Sequence, residues 1–338
     1  MSNPVLVELT RGPLVESIHR GAVVIADARG SIRFALGDGA KPVYPRSAFK
    51  MMQALPLIES GAADAFKLSP RELSMACASH SAEPFHIRTV AKWLGRIGCE
   101  ECQLACGPHL PMSEPAAHAM LRARKAPTRL HNNCSGKHTG FLTLARHLKA
   151  PVEDYVAVGH PVQKAVRQAI GEMCDTAPED MPVGIDGCAA PNFGIVLTRL
   201  ATGFARLADP SGLGKTRAKA VKRLMAAVTR HPLYESGTGR ADAIFIAAAS
   251  GGTMTKIGAE AVYGAAIPSL GLGVALKVDD GNARGAETAM AAILTRLGVL
   301  DAKAPAATQF TAAPILNWRG EVCGERHPAA ALNALALA

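Results

Sequence analysis

One short stretch of the chain combines a hydroxyl and an amine at a spacing that suits catalysis. Ser47 and Lys50 form the only Ser-x-x-Lys among 338 residues, directly after Pro45. Proline is favoured at the start of a helix, and residues three apart share a helix face, so the two side chains can meet. A lysine activates a serine when burial or a nearby positive charge lowers the lysine pKa. A solvated lysine beside a capping serine is the simpler explanation of the motif alone.

A second pair of polar residues follows a predicted helix. Ser69-Pro70-Arg71-Glu72 has the pattern of a capping box, which predicts a helix from about Pro70 to Ala78. Ser79 and His80 come next, in a segment rich in hydroxyls and titratable groups. Loop residues fixed to a buried helix are well placed for chemistry, although ordinary loop polarity also accounts for them.

A thiol and an amine begin another predicted helix. Cys134 and Lys137 are three residues apart, a position that lowers a thiol pKa and prepares it as nucleophile or metal ligand. The Gly136–Lys137 pair does not form a phosphate loop, because His131 and His138 stand where the Walker pattern requires glycine and a hydroxyl residue. Cys188 lies far along the chain, in a glycine turn after a short apolar strand, and can meet Cys134 only in three dimensions.

Composition restricts the class of protein. Hydrophobic residues make up 49% of the chain and charged residues 19%, which is typical of a globular protein of one large or two ordinary domains. The net charge of +9 is scattered, and with 4% aromatic residues no stacking platform for nucleic acid is expected. No apolar stretch approaches the ~20 residues that span a bilayer, and no secretory signal is visible. We therefore expect a cytoplasmic protein with no nucleic-acid or membrane partner.

The eight cysteines are expected to be free, metal-binding or catalytic, because disulfides are rare in the cytoplasm. Cys99, Cys102 and Cys106 have the spacing of a metal knuckle, but a second ligand pair at regular zinc-site spacing is missing. Buried thiols are the better explanation, and we assign these three cysteines no role.

The order of predicted elements indicates the fold. Strands occupy residues 5–36, helices fill the middle, and strands with one amphipathic helix close the chain. This order predicts an α/β (α+β) protein, an antiparallel sheet flanked by helices, with the sheet built from both chain ends. We expect one catalytic domain over residues 1–338, with the sheet from about 1–45 and 241–325 and a helical region at about 46–240.

That layout is shared by serine β-lactamases and penicillin-binding enzymes. They place Ser-x-x-Lys after the opening strands, a second serine in the helical region and Lys-[Thr/Ser]-Gly on a late strand. Ser47 and Lys50 match the first part, Ser79 the second, and Lys256-Ile257-Gly258 the third loosely. Ile257 replaces the hydroxyl residue of the last motif, and the Ser-Asp-Asn triplet is absent.

Taken together, the motifs resemble those of the zinc-containing class 3 L-asparaginases, the "asparaginase II" family. The motifs that carry this resemblance extend along nearly the whole chain: Arg11-Gly12, Glu16-Ser17-x-His19, Pro45-Arg46-Ser47-x-x-Lys50, Ser79-His80, Asn133-Cys134-Ser135-Gly136-Lys137-His138, Asp186-Gly187-Cys188, His231-Pro232, Gly237-x-Gly239-Arg240, Lys256-x-Gly258-Ala259-Glu260 and Lys277-x-x-Asp280-Gly281 with Arg284.

The resemblance implies a homodimeric enzyme that hydrolyses L-asparagine to L-aspartate and ammonia, with a fold similar to serine β-lactamases and glutaminases. It implies two Ser–Lys pairs, Ser47–Lys50 and Ser79–Lys256. On this basis we expect Ser47 to attack the amide carbon while Lys50 accepts its proton. Ser79, held by Lys256, then relays a proton to the leaving ammonia.

The resemblance also implies a Zn²⁺ site made of Cys134, Lys137, Cys188 and a water. Lysine is an unusual zinc ligand, because it must bind as the neutral amine. Residues next to these ligands and to the serines are expected to hold the substrate: Arg46 at the α-carboxylate, Asp186 at the α-ammonium, and His138 and His80 beside them.

Two other interpretations remain open from the sequence. One is a serine amidase of another amide, either a glutaminase or a β-lactamase-like enzyme. The other is a non-catalytic protein that binds metal through its thiols. Selective release of ammonia from asparagine would distinguish an L-asparaginase from both of these alternatives.

Overall fold

The structure is a computed structural model that describes residues 2–337. The chain divides into two compact units, described separately below. The sheet unit comprises Met1–Ala48, Ile195–Gly212 and Ile244–Ala338. The helical unit comprises Phe49–Gly194 and Leu213–Ala243. No helix of the described residues is both long and apolar enough to cross a bilayer.

Twelve strands are formed by residues 2–337. They are β1 (Val5–Arg11), β2 (Leu14–Asp27), β3 (Ile32–Leu36), β4 (Pro42–Val43), β5 (Val183–Ile185), β6 (Pro191–Phe193), β7 (Ile195–Val196), β8 (Met254–Gly258), β9 (Val262–Ile267), β10 (Leu272–Val278), β11 (Ala313–Leu316) and β12 (Val322–Pro328).

The α-helices are mostly short, and six 3₁₀ turns accompany them in the described residues. The α-helices are α1 (Lys50–Gln53), α2 (Leu55–Glu59), α3 (Ala62–Ala65), α4 (Pro70–Ala76), α5 (Pro84–Arg96), α6 (Glu114–Arg122), α7 (Ser135–His147), α8 (Pro161–Cys174), α9 (Leu197–Ala208), α10 (Lys215–Arg230), α11 (Pro232–Glu235), α12 (Ala241–Ala248), α13 (Ala283–Arg296), α14 (Pro305–Thr311) and α15 (Ala330–Asn333). The 3₁₀ turns are Arg46–Phe49, Glu101–Gln103, Arg129–His131, Pro178–Asp180, Pro210–Gly212 and Ala259–Ala261.

An antiparallel sheet forms the core of the sheet unit. Its strand order is β11-β12-β1-β2-β10-β9-β8, with β3 paired to β2, so both ends of the chain contribute to it. Residues Val23 to Ala26 of β2 are all buried, which is expected when helices cover both faces of a sheet. A tight turn joins β2 to β3, with Gly30 at a φ of +87°. The predicted class, an antiparallel sheet flanked by helices, is confirmed.

Helix α9 packs closely on this sheet and contacts β2, β9 and β10. The contact depends on glycine, since a Cβ built on Gly273 lies 2.0 Å from Ala205 N and one on Gly264 lies 1.9 Å from the Phe204 ring. The sequence placed this helix in the helical region 46–240. The structure instead assigns 195–212 to the sheet unit, because the side chains that bury the helix belong to the sheet.

The end of the chain forms a further strand. β12 pairs with β1 at residues 326–328 and with β11 along most of its length. β12 has no alternation of apolar and polar residues, and most of it is half-buried, so periodicity alone gave no sign of it. Its pairing with β1 joins strands from the two ends of the chain in one sheet.

The helical unit is built around α7, in which every residue from Ser135 to Ala145 is buried. Helix α4 packs on α5, α7, α10 and α11, and it begins with the predicted capping box, in which Ser69 and Glu72 bond each other's backbone N–H. Gly136 lets α7 approach α4, because a Cβ there lies 2.4 Å from Met75 O. This contact brings the residue after α4 and the start of α7 together.

Candidate active site

Lys50 is the centre of a buried hydrogen-bond cluster in the helical unit. Its side chain has no exposed surface, and its Nζ lies 2.8 Å from Ser79 Oγ, 2.6 Å from Ala78 O and 3.1 Å from Cys134 Sγ. The residue that the sequence paired with Ser47 is therefore a hydrogen-bond partner of Ser79. A buried amine in contact with a hydroxyl is the arrangement that can move a proton to or from a serine.

The loop that carries Ser79 is held in place by its own backbone. The N–H of Ser79 donates to Glu235 O at 2.9 Å, that of His80 to Asn133 O at 3.1 Å, and that of Ser81 to Ser236 O at 2.8 Å. Three consecutive amides are thus engaged, so the Ser79 hydroxyl is positioned while its own N–H is occupied. An oxyanion would need donors from elsewhere.

His80 and His86 form a buried stack with ring centroids 4.9 Å apart. His80 accepts a hydrogen bond from Ala82 N at 3.2 Å through Nδ1 and pairs with Ser135 Oγ at 2.9 Å through Nε2. Burial, together with the neighbouring cationic forms of His86 and Lys50, holds the pKa of His80 well below its usual value. Both ring nitrogens of His80 are used inside the unit, which leaves neither for the substrate contact expected from the sequence.

Two sulfurs and an amine meet beside Lys50. Cys134 and Cys188 hydrogen-bond each other, and Lys137 Nζ lies 3.0 Å from Cys188 Sγ. All three side chains are buried. The structure thus brings together the three residues that the resemblance assigned to zinc, from the start of α7 and from the turn before β6. Because Lys50 contacts Cys134, hydrogen bonds run without interruption from Ser79 to Lys137.

The two thiols differ in their affinity for protons. A hydrogen bond from Cys134, helped by the Lys137 ammonium and opposed by burial, lowers the pKa of Cys188 to about 5. The same bond and burial raise the pKa of Cys134 to about 12. For Lys137, burial alone would lower the pKa, but attraction to Cys188 and Cys134 raises it above its usual value. Cys188 is therefore the thiolate, and its sulfur accepts hydrogen bonds from Cys134 and from Lys137.

His138 contributes a buried nitrogen without a partner. Its Nδ1 lies 2.7 Å from the Tyr155 hydroxyl, whose oxygen accepts from Ala105 N at 2.8 Å. Burial lowers the pKa of His138 to about 3 and raises that of Tyr155, so both groups are neutral. Tyr155 then donates to Nδ1, and the proton of His138 is on Nε2, which has no hydrogen-bond partner within residues 2–337.

The donor set suits a soft metal ion. Two cysteine sulfurs and a nitrogen are ligands that Zn²⁺ prefers, and the unpartnered His138 Nε2 adds a polar atom on the next residue of α7. Within residues 2–337, no three His, Cys, Asp or Glu side chains are grouped to hold a metal, so any such site depends on Lys137. Lys137 and Cys134 would have to lose protons to bind.

Asp186 and Cys106 lie around this cluster. Asp186 is half-buried, accepts from Gly187 N at 2.7 Å and raises the pKa of Lys137 by its charge. Cys106 is fully buried, and burial with the charges of Cys134 and Cys188 raises its pKa to about 12. The sequence motifs assign no role to Cys106 or Tyr155. Only the folded chain reveals them, because neither belongs to a motif.

The remaining predicted catalytic residues belong to the sheet unit. Arg46 has a φ of +54°, a left-handed conformation that is strained for a side chain other than glycine, and Ser47 follows it. A Cβ built on Gly258 lies 2.2 Å from Pro45 O and 3.2 Å from Ser47 N, so the end of β8 runs against this turn. Lys256, two residues earlier on β8, is fully buried. The late Lys-x-Gly motif and the Ser47 turn are thus neighbours.

These features define a mixed α/β protein with a buried serine–lysine pair, the kind of pair by which hydrolases activate a hydroxyl. The model of the L-asparaginase II family matches residues 7–328. The chain belongs to the L-asparaginase II family. A comparison with curated proteins finds no match.

The chain is also similar to several solved structures. A β-lactamase from Mycobacterium bovis is 13% identical, with 82% of this chain and 94% of that one covered and a TM-score of 0.41. Mglu in its native form is 13% identical, with 89% and 70% covered and a TM-score of 0.47. The octameric penicillin-binding protein homologue from Pyrococcus abyssi is 13% identical, with 84% and 74% covered and a TM-score of 0.40.

Proposed function

We propose that the protein hydrolyses the side-chain amide of L-asparagine to L-aspartate and ammonia through a serine acyl-enzyme. Membership of the L-asparaginase II family supports amidase chemistry. The observation that carries the mechanism is the buried 2.8 Å hydrogen bond between Lys50 Nζ and Ser79 Oγ. This bond links the lysine of the Ser-x-x-Lys motif to the second serine.

The first step is attack by Ser47 on the amide carbon, with Lys50 as the base that takes its proton. The three-residue spacing of Ser47 and Lys50 supports this transfer. Lys50 acts as a base only when neutral, with two N–H groups and one lone pair. Ala78 O and Cys134 Sγ lie within hydrogen-bond distance of Nζ and can accept from those N–H groups, while a serine hydroxyl donates to the lone pair.

The second step is protonation of the leaving nitrogen. Once Lys50 holds the proton, it donates to Ser79 Oγ, and the Ser79 hydroxyl proton passes to the departing ammonia. Water then hydrolyses the acyl-enzyme with the same groups in reverse order. Lys256 keeps the supporting role implied by the resemblance, as the second buried lysine of the machinery.

The oxyanion requires backbone donors, and the Ser79 loop has none to spare. We assign one of them to the N–H of Ser47, at the start of its 3₁₀ turn. Gly258 keeps the space beside this N–H clear of a side chain, and the strained φ of Arg46 is typical of backbone held for function.

We assign the substrate contacts to three charged or polar side chains. Arg46 takes the α-carboxylate and Asp186 the α-ammonium. His138 presents Nε2–H as a neutral donor. His80 fixes the Ser79 loop and is removed from the set of substrate contacts.

Cys134, Lys137 and Cys188 would hold Zn²⁺. When bound, the ion supplies a fixed positive charge and Lewis acidity beside the catalytic groups. The resemblance also implies a homodimer, which sedimentation of the purified protein tests, and a cytoplasmic location stays a prediction.

The experiment compares substrates and traps the intermediate. Purified protein is incubated with L-asparagine, L-glutamine and nitrocefin, and intact mass spectrometry follows quenched wild type, Ser47→Ala and Ser79→Ala. We expect asparagine-selective ammonia release, an acyl adduct in wild type and none in Ser47→Ala. An adduct retained by Ser47→Ala but lost in Ser79→Ala would move the nucleophile to Ser79. Nitrocefin turnover without ammonia release would contradict the substrate assignment.

A further inference from the structure

A second group of charged side chains lines a surface pocket of the sheet unit. The pocket has a volume of about 340 Å³ and lies at β1, β2, β11, β12 and α13. Three guanidinium groups line it, those of Arg11, Arg284 and Arg326, together with the carboxylate of Glu16 and the hydroxyl of Ser17. Pockets of this volume hold small organic ligands. The arginines outnumber the acid, so the lining carries an excess of positive charge.

Arg326 lines the pocket with a guanidinium group that the protein does not fully satisfy. Its Nε is buried and has no hydrogen-bond partner within the described part of the chain. Burial lowers the pKa of Arg326, Glu287 opposes this effect, and the neighbouring Arg284 cation adds to it. Arginine remains charged in proteins, so this nitrogen is a charged donor without an acceptor. Because Nε has no accessible surface, it adds unpaired positive charge beside the pocket and does not itself contact a ligand there.

Arg284 is held in a fixed orientation toward the same pocket. Its Nε donates to Nε2 of the buried His19 at 2.9 Å, and Nδ1 of His19 lies 2.6 Å from Asp280 Oδ2. His19 thus accepts from Arg284 and donates to Asp280, which fixes the guanidinium plane. Arg284 is also the second residue of α13, a helix of 14 residues whose positive end favours anions.

Arg11 and Glu16 form the solvent side of the pocket. Arg11 Nε lies 2.7 Å from Glu16 Oε1, and both side chains are about half exposed. Glu16 therefore neutralises Arg11 and lowers the positive potential of the pocket. Removal of the Glu16 charge would release Arg11 for a ligand.

We propose that this pocket binds a small carboxylate anion. Arg284 and Arg326 supply the planar, doubly donating groups that recognise a carboxylate, Ser17 adds a hydroxyl, and Arg11 accommodates a second negative group. The pocket is distinct from the Lys256 strand, because five strand spacings of about 4.8 Å separate β12 from β8 in the sheet. The inference does not depend on the proposed function.

Isothermal titration of the 338-residue protein tests the site with ligands that no amidase turns over. Succinate is the carboxylate probe, and inorganic phosphate at equal concentration and ionic strength is the comparison. We expect about one succinate per chain and tighter binding than for phosphate. Arg326→Gln should weaken succinate binding at least about tenfold, because a charge-assisted bond is lost. Glu16→Gln should tighten succinate binding, because Arg11 is released.

The two variants act in opposite directions, so a general loss of structure cannot imitate both. If Arg326→Gln does not fold, the succinate affinity of Glu16→Gln alone tests the proposed site. Absence of succinate binding in wild type, tighter binding of phosphate than of succinate, or a succinate affinity that Glu16→Gln leaves unchanged would each overturn the proposal. Activity toward asparagine has no part in this test, so its failure is separable from failure of the proposed function.

Discussion

The ionisable groups of the two units differ in their burial and in their hydrogen bonding. In the helical unit, Lys50, Cys134, Lys137 and Cys188 are almost completely buried, and each is a hydrogen-bond partner of another member of the cluster. In the sheet unit, Arg11, Arg284 and Arg326 line the pocket proposed to bind a carboxylate, called here the carboxylate pocket. These arginines are open to solvent to different degrees, and the buried Nε of Arg326 lacks a partner within the described residues. The members of the first cluster are hydrogen-bonded to one another, whereas the second leaves a charged nitrogen unpaired, and we propose that it binds an anion.

This difference follows from what burial does to ionisable groups. A buried pair shares protons, so the bond between the Cys134 thiol and the Cys188 thiolate moves their pKa values in opposite directions. A group near water keeps its charge and attracts ions from solution. The first arrangement suits proton transfer and metal binding, and the second suits reversible binding of a soluble ligand.

A large effect on catalysis is expected from the loss of the Ser79 hydroxyl. Ser79→Ala removes the group that Lys50 contacts, so kcat for asparagine should fall by at least about 100-fold, the usual size of a general acid–base contribution. The matched control is Ser81→Ala, because the Ser81 hydroxyl donates to Glu83 in the same loop. Equal losses in both variants would show that the loop matters and the Lys50 contact does not.

A ligand of the sulfur cluster should control metal content. Cys188→Ala removes the thiolate, so zinc measured by mass spectrometry of the purified protein should fall from about one per chain to below a tenth. Cys99→Ala is the control, since burial raises the pKa of this thiol and keeps it protonated. Wild type that takes up no zinc, or Cys188→Ala that keeps it, would exclude the assigned site.

Acid should destabilise the helical unit through its buried histidines. Neutral His86 accepts from Glu83 N at 3.1 Å and pairs with Leu233 O at 2.9 Å, and burial lowers its pKa from 6.5 to about 4. Between pH 6.5 and about 4, His86 therefore binds a proton in the unfolded chain but not in the folded chain. The free energy of unfolding should therefore fall by up to ~3 kcal/mol as the pH drops through that interval.

Urea unfolding across that pH range measures this dependence. His86→Gln cannot take up the proton and should reduce the dependence, part of which His80 and His138 maintain, whereas exposed His118→Gln should keep the wild-type slope. A slope that His86→Gln leaves unchanged would show that other groups cause the acid sensitivity.

The smallest expected effect concerns the exposed ion pair of the carboxylate pocket. Glu16→Gln breaks the contact with Arg11, but such pairs in water contribute little to stability. The urea midpoint should stay at the wild-type value while succinate affinity changes. A large loss of stability would mean that Glu16 supports the fold and not the potential of the pocket.

Much of the fold follows from local patterns. Ser69 and Glu72 predict the start of α4, and the capping box occurs there. β12 was missed, because its side chains are half-buried and its existence depends on pairing with β1, more than 300 residues away in sequence. Apolar periodicity reports burial of a face and is silent on such pairing.

The candidate site was predictable in its residues and less so in its partners. The motifs identified Lys50 and Ser79, but their contact joins residues 29 apart and depends on how α4 and α7 pack. Tyr155 bonds His138 from outside any motif, so only the folded chain reveals it. Sequence spacing constrains contacts within one helix and carries no information on which loops meet.

The most direct test of the account is the initial rate of ammonia release from L-asparagine by wild type, Lys50→Met and Lys92→Met. Lys50 is buried against Ser79, while Lys92 is an exposed residue of α5 with the same side chain. We predict selective release in wild type, a loss of about 10³-fold in Lys50→Met and no change in Lys92→Met. Undiminished release by a folded Lys50→Met variant would contradict the serine–lysine mechanism.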